Sequence, residues 1–258
     1  MDLQLKGKTA IVTGGSAGIG LAITRVLAAE GVTVTVPGRS KEKLDKALAG
    51  ISNVKAIVAD AATAEGAESL LQQVPDTDIL VNNLGIYEPR PFAEITDADW
   101  LKIFEANVLS GVRLSRHYFP RMLERNQGRV IFISSESGVM TPPEMIHYGV
   151  TKSSQLAISR GLAELTKGTA VTVNSVMPGP TRSEGIVEFL ERMSTAKNPT
   201  PEQAEKEFFE KHRQSSLLQR LIEDSEIANL VAFLASPLSA ATNGAALRAE
   251  GGLLRSIV

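Results

Sequence analysis

The feature that most narrows what this chain can become is a repeated alternation of short apolar runs and longer helical patterns. Runs at residues 9–13, 32–36, 54–60, 78–82, 130–134 and 171–176 are rich in β-branched residues, and a weaker one lies near 246–249. Most are apolar without interruption, as strands covered on both faces should be. Between them, residues 18–29, 41–49, 64–73, 97–124, 147–166 and 226–235 repeat with helical period. Strand and helix in steady alternation predict an α/β fold: a doubly wound parallel sheet of about seven strands with helices on both faces. A chain of 258 residues with 43% hydrophobic content can bury one large core. No linker, repeat or low-complexity stretch interrupts the order, so residues 1–258 are predicted to form a single domain.

One segment departs from the pattern. Residues 183–219, between the sixth strand and the last long helix, are rich in charge and carry their own helix start. Thr200 is placed as N-cap, Pro201 at the first helical position, and Gln203 closes a capping box. Such an insertion would sit beyond the C-terminal end of a strand, where open α/β sheets bind ligands. It is predicted to be a helical substrate lid, with a purely structural helix pair as the alternative.

Composition excludes several functions. A net charge of -2 gives no general attraction to nucleic acid or to an anionic membrane. With no cysteine there is neither a disulfide framework nor a thiolate metal site. His117, His147 and His212 are widely spaced and none falls in a ligand pattern, so no metal is expected. The N-terminal residues lack the apolar stretch of a signal peptide, and the apolar runs are far too short to span a bilayer. The expectation is a cytoplasmic protein without nucleic-acid or membrane partners.

The first apolar run leads straight into Thr13-Gly14-Gly15-Ser16-Ala17-Gly18-Ile19-Gly20 and then an apolar helix. A dinucleotide pyrophosphate needs exposed backbone N–H groups at a helix N-terminus with no side chain in the way. Gly14 would permit the turn, Gly18 close approach, and Gly20 packing of helix on strand. Gly14, Ser16, Gly18 and Ile19 are the candidate cofactor contacts here. The spacing is G-x-x-x-G-x-G, and for the glycines alone an ordinary strand-to-helix turn is the competing reading. Cofactor choice should fall where the second strand ends, near the adenosine ribose. That stretch, Val36-Pro37-Gly38-Arg39-Ser40, holds no carboxylate to pair with a 2′-hydroxyl. Arg39 could pair with a 2′-phosphate, so NADP(H) is preferred and NAD(H) remains possible. The alternative is that Arg39 is a solvated surface charge.

Tyr148 and Lys152, four apart, would share one face of a helix. A free tyrosine, with a pKa near 10, exchanges protons poorly at neutral pH, and a neighbouring cation would lower that value. The pair alone is weak evidence. The surroundings strengthen it: Ser135 follows the fifth strand, Asn107 lies on the fourth long helical stretch, Asn82-Asn83-Leu84-Gly85 closes the fourth strand and Pro178-Gly179-Pro180-Thr181 the sixth. All of these strand ends point to one rim of a parallel sheet.

From about Lys6 to Gly252 the chain resembles the short-chain dehydrogenase/reductase (SDR) family, nearest in pattern to its 3-oxoacyl-(acyl-carrier-protein) reductase branch. Residues 13–20 match the family's cofactor turn, 82–85 its N-N-A-G motif, and Asn107, Ser135, Tyr148 and Lys152 its catalytic tetrad. Pro178-Gly179 match its nicotinamide loop and Glu250-Gly251-Gly252 its D-G-G ending. Leu84 stands for the usual alanine, Glu250 for aspartate, and Ala17 where many NADP-dependent members carry a basic residue.

The resemblance implies a Rossmann-type sheet and hydride exchange between a nicotinamide and a small ketone or aldehyde, or the matching alcohol. Tyr148 would be the general acid or base, and Ser135 would stabilise the substrate oxygen. Lys152 would lower the tyrosine pKa and hold the nicotinamide ribose, and Asn107 would position a relay water. Asp60 would meet the adenine, Asn83 and Gly85 the adenosine side, and Thr181 the carboxamide. Tyr87, Arg90 and Met145 are candidates for the substrate mouth, and Glu136 reads as a rim carboxylate without chemistry. A homo-oligomer, dimer or tetramer, would form through the helices bearing Asn107 and Tyr148. Imine or enone reduction in the same fold is one rival. A non-catalytic dinucleotide sensor is another, disfavoured because all four tetrad residues are present.

Overall fold

The computed structural model describes residues 1–257. Seven strands form one sheet: β1 (Thr9–Val12), β2 (Thr33–Gly38), β3 (Val54–Val58), β4 (Ile79–Asn82), β5 (Gly128–Ile133), β6 (Val171–Pro178) and β7 (Ala246–Ala249). Their order is β3-β2-β1-β4-β5-β6-β7 and every pairing is parallel. The chain winds outward from β1 to β3, returns to β4 on the other side of β1, and winds on to β7. The reversal between β1 and β4 opens a crevice at the C-terminal strand ends, the place where doubly wound sheets take their ligands.

Successive strand residues face opposite sides, and here both sides are apolar. Ala10, Val12, Ile79, Val81, Ile131 and Ile133 pack under α1 (Gly18–Ala29), α2 (Lys41–Leu48) and α9 (Asp224–Ala235). Ile11, Leu80, Val130 and Phe132 pack on the other face, under α3 (Ala64–Gln73), α5 (Ser110–Glu124) and α6 (Ile146–Glu164). Each such side chain, fully buried, stabilises the fold by about 1.5–3 kcal/mol before chain entropy is counted. The two marginal strands differ from the uniformly covered strands expected. Lys55, Ala56 and Val58 of β3 are exposed and β7 is only half covered, because the helical layers end there.

The single helix expected over 97–124 is three pieces: α4 (Asp97–Phe104), a π-helical turn (Glu105–Leu109) and α5. Thr96 and Asp99 close a capping box at the start of α4. In the wide turn the Ser110 hydroxyl donates to the Ala106 carbonyl at 2.6 Å, and the Asn107 carbonyl accepts from Gln155 Nε2 at 2.6 Å. An inserted residue in a helix frees carbonyls in this way, and tertiary partners must then satisfy them.

The segment after β6 carries α7 (Glu184–Met193) and α8 (Pro201–Lys211). The Thr200–Gln203 capping box forms as expected. The pair gathers a small core of its own from Phe189, Leu190, Ala204, Phe208 and Phe209 with Leu221. No helix among the described residues is long and apolar enough to cross a membrane.

Candidate active site

The site begins at the turn after β1. Gly14 has φ +64° and Gly18 φ +46°, left-handed conformations that favour glycine. A Cβ at Gly20 would lie 2.2 Å from the Gly14 carbonyl oxygen, so only glycine lets α1 start this close to the strand end. Ala17, the N-cap of α1, offers no side chain to the first-turn N–H groups, whereas Ser40, Thr63 and Thr96 each cap their helices. Unsatisfied N–H groups at an uncapped N-terminus, with Ser16 and Ile19 half-exposed beside them, fit a dinucleotide pyrophosphate. The Asn83 side chain is tied to the turn: its Nδ2 donates to the Thr13 carbonyl at 2.9 Å. Thr13 Oγ1 in turn accepts from the N–H groups of Asn83 and Leu84, both at 3.0 Å.

At the end of β2, Arg39 is exposed and makes no ion pair or side-chain hydrogen bond among the described residues. Ser40 Oγ accepts from Lys43 N as the cap of α2. Asp60 is half-buried beyond β3, its Oδ1 accepting from Ala62 N at 3.1 Å. Thr181 is buried, and its hydroxyl donates to the Gly179 carbonyl at 2.8 Å rather than pointing into the cleft.

The four tetrad positions meet at the strand ends of β4 and β5. Lys152 is buried, and its Nζ donates to the Ile133 carbonyl at 2.9 Å and to Gln155 Oε1 at 3.2 Å. Nζ lies 5.5 Å from the centre of the Tyr148 ring, so both groups do share one face of α6. Ser134 Oγ donates to the Lys152 carbonyl at 2.8 Å and pins α6 to the end of β5. Asn107 is buried; its Oδ1 accepts from Ile86 N at 2.7 Å, and its Nδ2 donates to the Ile86 carbonyl and to Thr151 Oγ1. Its amide thus braces the loop after β4. A Cβ on Gly85 would fall 3.5 Å from Asn107 Oδ1 and 3.6 Å from Lys152 Nζ, so the bare backbone leaves room beside the lysine.

Burial governs the electrostatics. It pushes the Tyr148 phenol above its ordinary value; Glu136 adds to this in its carboxylate form, and the Ser135 hydroxyl pulls the other way. Burial also brings the Lys152 ammonium down to about 8, with Glu136 opposing. Among the causes acting on the phenol, burial is the largest. The Lys152 Nζ is held on Ile133 and Gln155, and desolvation moves the phenol of Tyr148 toward its protonated form.

Other expectations shift as well. Glu136 is not a rim carboxylate: it is 5% exposed and accepts from the hydroxyls of Ser135 and Ser137. Met145 is buried and Arg90 pairs with Glu88 and Asp99, which leaves Tyr87 as the mouth residue beside Tyr148, ring centres 6.2 Å apart. Tyr87 also meets Phe189 of α7 edge-on at 6.3 Å. His147 is buried against Trp100, and desolvation lowers its pKa, so it packs rather than titrates toward substrate. Gln155 was missed from the sequence, although it lies three residues beyond Lys152 and so on the same helix face.

Residues 8–193 match the short chain dehydrogenase family. The chain is 50% identical, over the full length of both chains, to a Bacillus subtilis (strain 168) protein described as uncharacterized oxidoreductase YvaG. It is 32% identical to the 3-oxoacyl-(acyl-carrier-protein) reductase FabG of Vibrio cholerae, covering 97% of this chain and 99% of that one. The crystal structure of L-sorbose reductase from Gluconobacter frateurii, complexed with NADPH and L-sorbose, superposes with a TM-score of 0.92 at 28% identity over the whole of both chains. The chain belongs to the short-chain dehydrogenase/reductase family, and its pattern is that of the 3-oxoacyl-(acyl-carrier-protein) reductase-like members. It is an NAD(P)-dependent oxidoreductase acting on the carbonyl/alcohol pair.

Proposed function

We propose that the protein is an NADP(H)-preferring carbonyl reductase that uses Tyr148 as its general acid on a small ketone or aldehyde. The observation that supports this best is the buried phenol of Tyr148, gathered with Ser135 and Lys152 beside an uncapped glycine turn. The dinucleotide, when bound, supplies the hydride. The chain's own residues do the rest. The α1 N-terminus and the glycine turn receive the pyrophosphate, and Arg39 pairs with the 2′-phosphate. The buried ammonium of Lys152, with Gly85 leaving space beside it, holds the ribose hydroxyls and faces the phenol. Ser135 donates to the carbonyl oxygen as negative charge grows there, and Tyr148 gives up its proton to that oxygen. Run backwards, the same residues would oxidise an alcohol, and a phenol whose pKa is raised by burial suits reduction.

The helices α7 and α8 act as the substrate lid, their Phe189 meeting Tyr87 over the catalytic tyrosine. The exposed Leu101 and Phe104 of α4 and Val150 of α6 suit a homo-oligomer built on these helices.

Tyr148→Phe is expected to lower kcat for ketone reduction by roughly 10²–10⁴, the usual worth of a general acid. NADPH affinity, read by fluorescence titration, should stay within a few-fold; near-normal turnover in the variant removes Tyr148 from the acid role. Arg39→Ala is expected to weaken NADPH about tenfold, as loss of one charge-assisted pair would, while NADH binding barely changes. Equal losses for both cofactors would return Arg39 to a surface charge.

A further inference from the structure

Two carboxylates are buried among the described residues, Glu250 and Glu136, and their surroundings differ sharply. Glu250 accepts from Arg248 Nε at 2.6 Å and from the N–H groups of Leu253 and Leu254, a donor set that suits a full negative charge. Glu136 has no ion pair among the described residues. It accepts from the hydroxyls of Ser135 and Ser137, its neighbours on the loop after β5, with the Ser137 backbone N–H also directed at it. From α6, Tyr148 and Lys152 face it, but the Lys152 ammonium is engaged with Ile133 and Gln155. From the segment after α8, the buried guanidinium of Arg213 faces it at longer range while pairing with Glu144 at 3.2 Å. A carboxyl so placed is held toward its neutral form by desolvation, with the Ser135 hydroxyl and the Arg213 charge opposing.

A neutral carboxyl is a donor, and the group in reach is Ser135 Oγ. We propose that Glu136 is a positioning residue acting through Ser135: its acid form donates to Ser135 Oγ and turns the serine hydrogen toward the substrate oxygen, whereas its carboxylate form takes that hydrogen. The acid form therefore favours reduction, where the substrate oxygen needs a donor. The carboxylate form leaves Ser135 without a hydrogen for that oxygen. No proton is consumed at Glu136: it keeps its own through the turnover, the hydride comes from the reduced nicotinamide and the proton from Tyr148. This rests on the reading of Tyr148 as general acid.

The test compares wild type, Glu136→Gln and Arg213→Gln in NADPH-dependent reduction of a ketone the wild type turns over, with kcat/KM followed against pH. Infrared difference spectra of the cofactor-free wild type against Glu136→Gln supply a second readout, the protonated-carboxyl band. That band is expected at neutral pH and should titrate away with the same midpoint as an alkaline limb in wild-type reduction, about tenfold per pH unit. Glu136→Gln, a neutral donor at every pH, should lack that limb. Arg213→Gln removes the cation that favours the carboxylate and should move the limb to higher pH. A limb retained in Glu136→Gln, or no titrating band, overturns the proposal. If Glu136→Gln does not fold, an Arg213→Gln limb that stays put or moves down overturns it equally. Tyr148→Phe separates the two readings: turnover surviving in it sinks the general-acid reading, whereas a dead Tyr148→Phe with the limb intact in Glu136→Gln sinks only the role of Glu136.

Discussion

Beneath the site, Ser134, Lys152, Gln155 and Asn107 bury polar groups and pair them with one another or with strand-end carbonyls. Above it, α7 and α8 rest on a small aromatic cluster of their own and reach the body through a few side chains, Tyr87 on Phe189 and Glu144 on Arg213 among them. In the floor, each hydrogen bond lies where water cannot replace it, so losing one partner leaves another unmet. In the insertion, many ion pairs are exposed and individually weak, as in Arg192 with Glu188 and Lys206 with Glu210. A floor built this way holds reacting groups in one geometry, and a cap built this way can move to admit different substrates.

The contrast is tested hardest in the floor. Gln155→Leu leaves the Asn107 carbonyl unpartnered and removes one acceptor from Lys152. A loss of about 2 kcal/mol for these buried groups should lower Tm by roughly 4–8 °C. The displaced ammonium should lower kcat about tenfold or more for every carbonyl tried. Unchanged kcat across a panel would mean the floor does not need this brace.

The insertion should answer differently. Phe189→Ala removes the contacts with both Tyr87 and Phe208. The expected result is a change in KM of about threefold to thirtyfold that varies from substrate to substrate, the range a hydrophobic contact gives, with kcat within a few-fold. Steady-state kinetics on the same panel decide it: a uniform fall in kcat would make Phe189 part of the floor.

The smallest effect lies at Glu207, which accepts from Lys211, Ser194 and Thr195. These donors hold its carboxyl well below the usual glutamate range. Its folded pKa being depressed, the stabilisation is complete above the unfolded value near 4.3 and fades as pH falls toward the folded one. Glu207→Gln should lower Tm at pH 7 by no more than about 2 °C, with the gap to wild type closing in acid. A gap that widens on acidification would reverse the sign of this contribution.

Much of the architecture was legible because its signals are local. The bounds expected for α1 and α3 coincide with those found, since a glycine turn and helical periodicity each declare themselves within a few residues. Tyr148 and Lys152 were legible for the same reason: four residues apart on a helix, they must share a face. The π turn at Asn107 was not. Nothing in Glu-Ala-Asn-Val-Leu disfavours a regular α-helix, and the turn is stabilised by Gln155, 48 positions away. Glu136 was misjudged because adjacency to a serine says nothing about burial.

Periodicity, glycine spacing and the order of the strand-end motifs thus determined the parallel sheet, the crevice and the residues gathered there, because these follow from backbone geometry that each short segment carries itself. Only the tertiary structure decided the desolvation around Tyr148, the brace through Gln155 and the buried carboxyl of Glu136. Those depend on how completely water is removed from a group and on which distant partners replace it, and no segment holds that information alone.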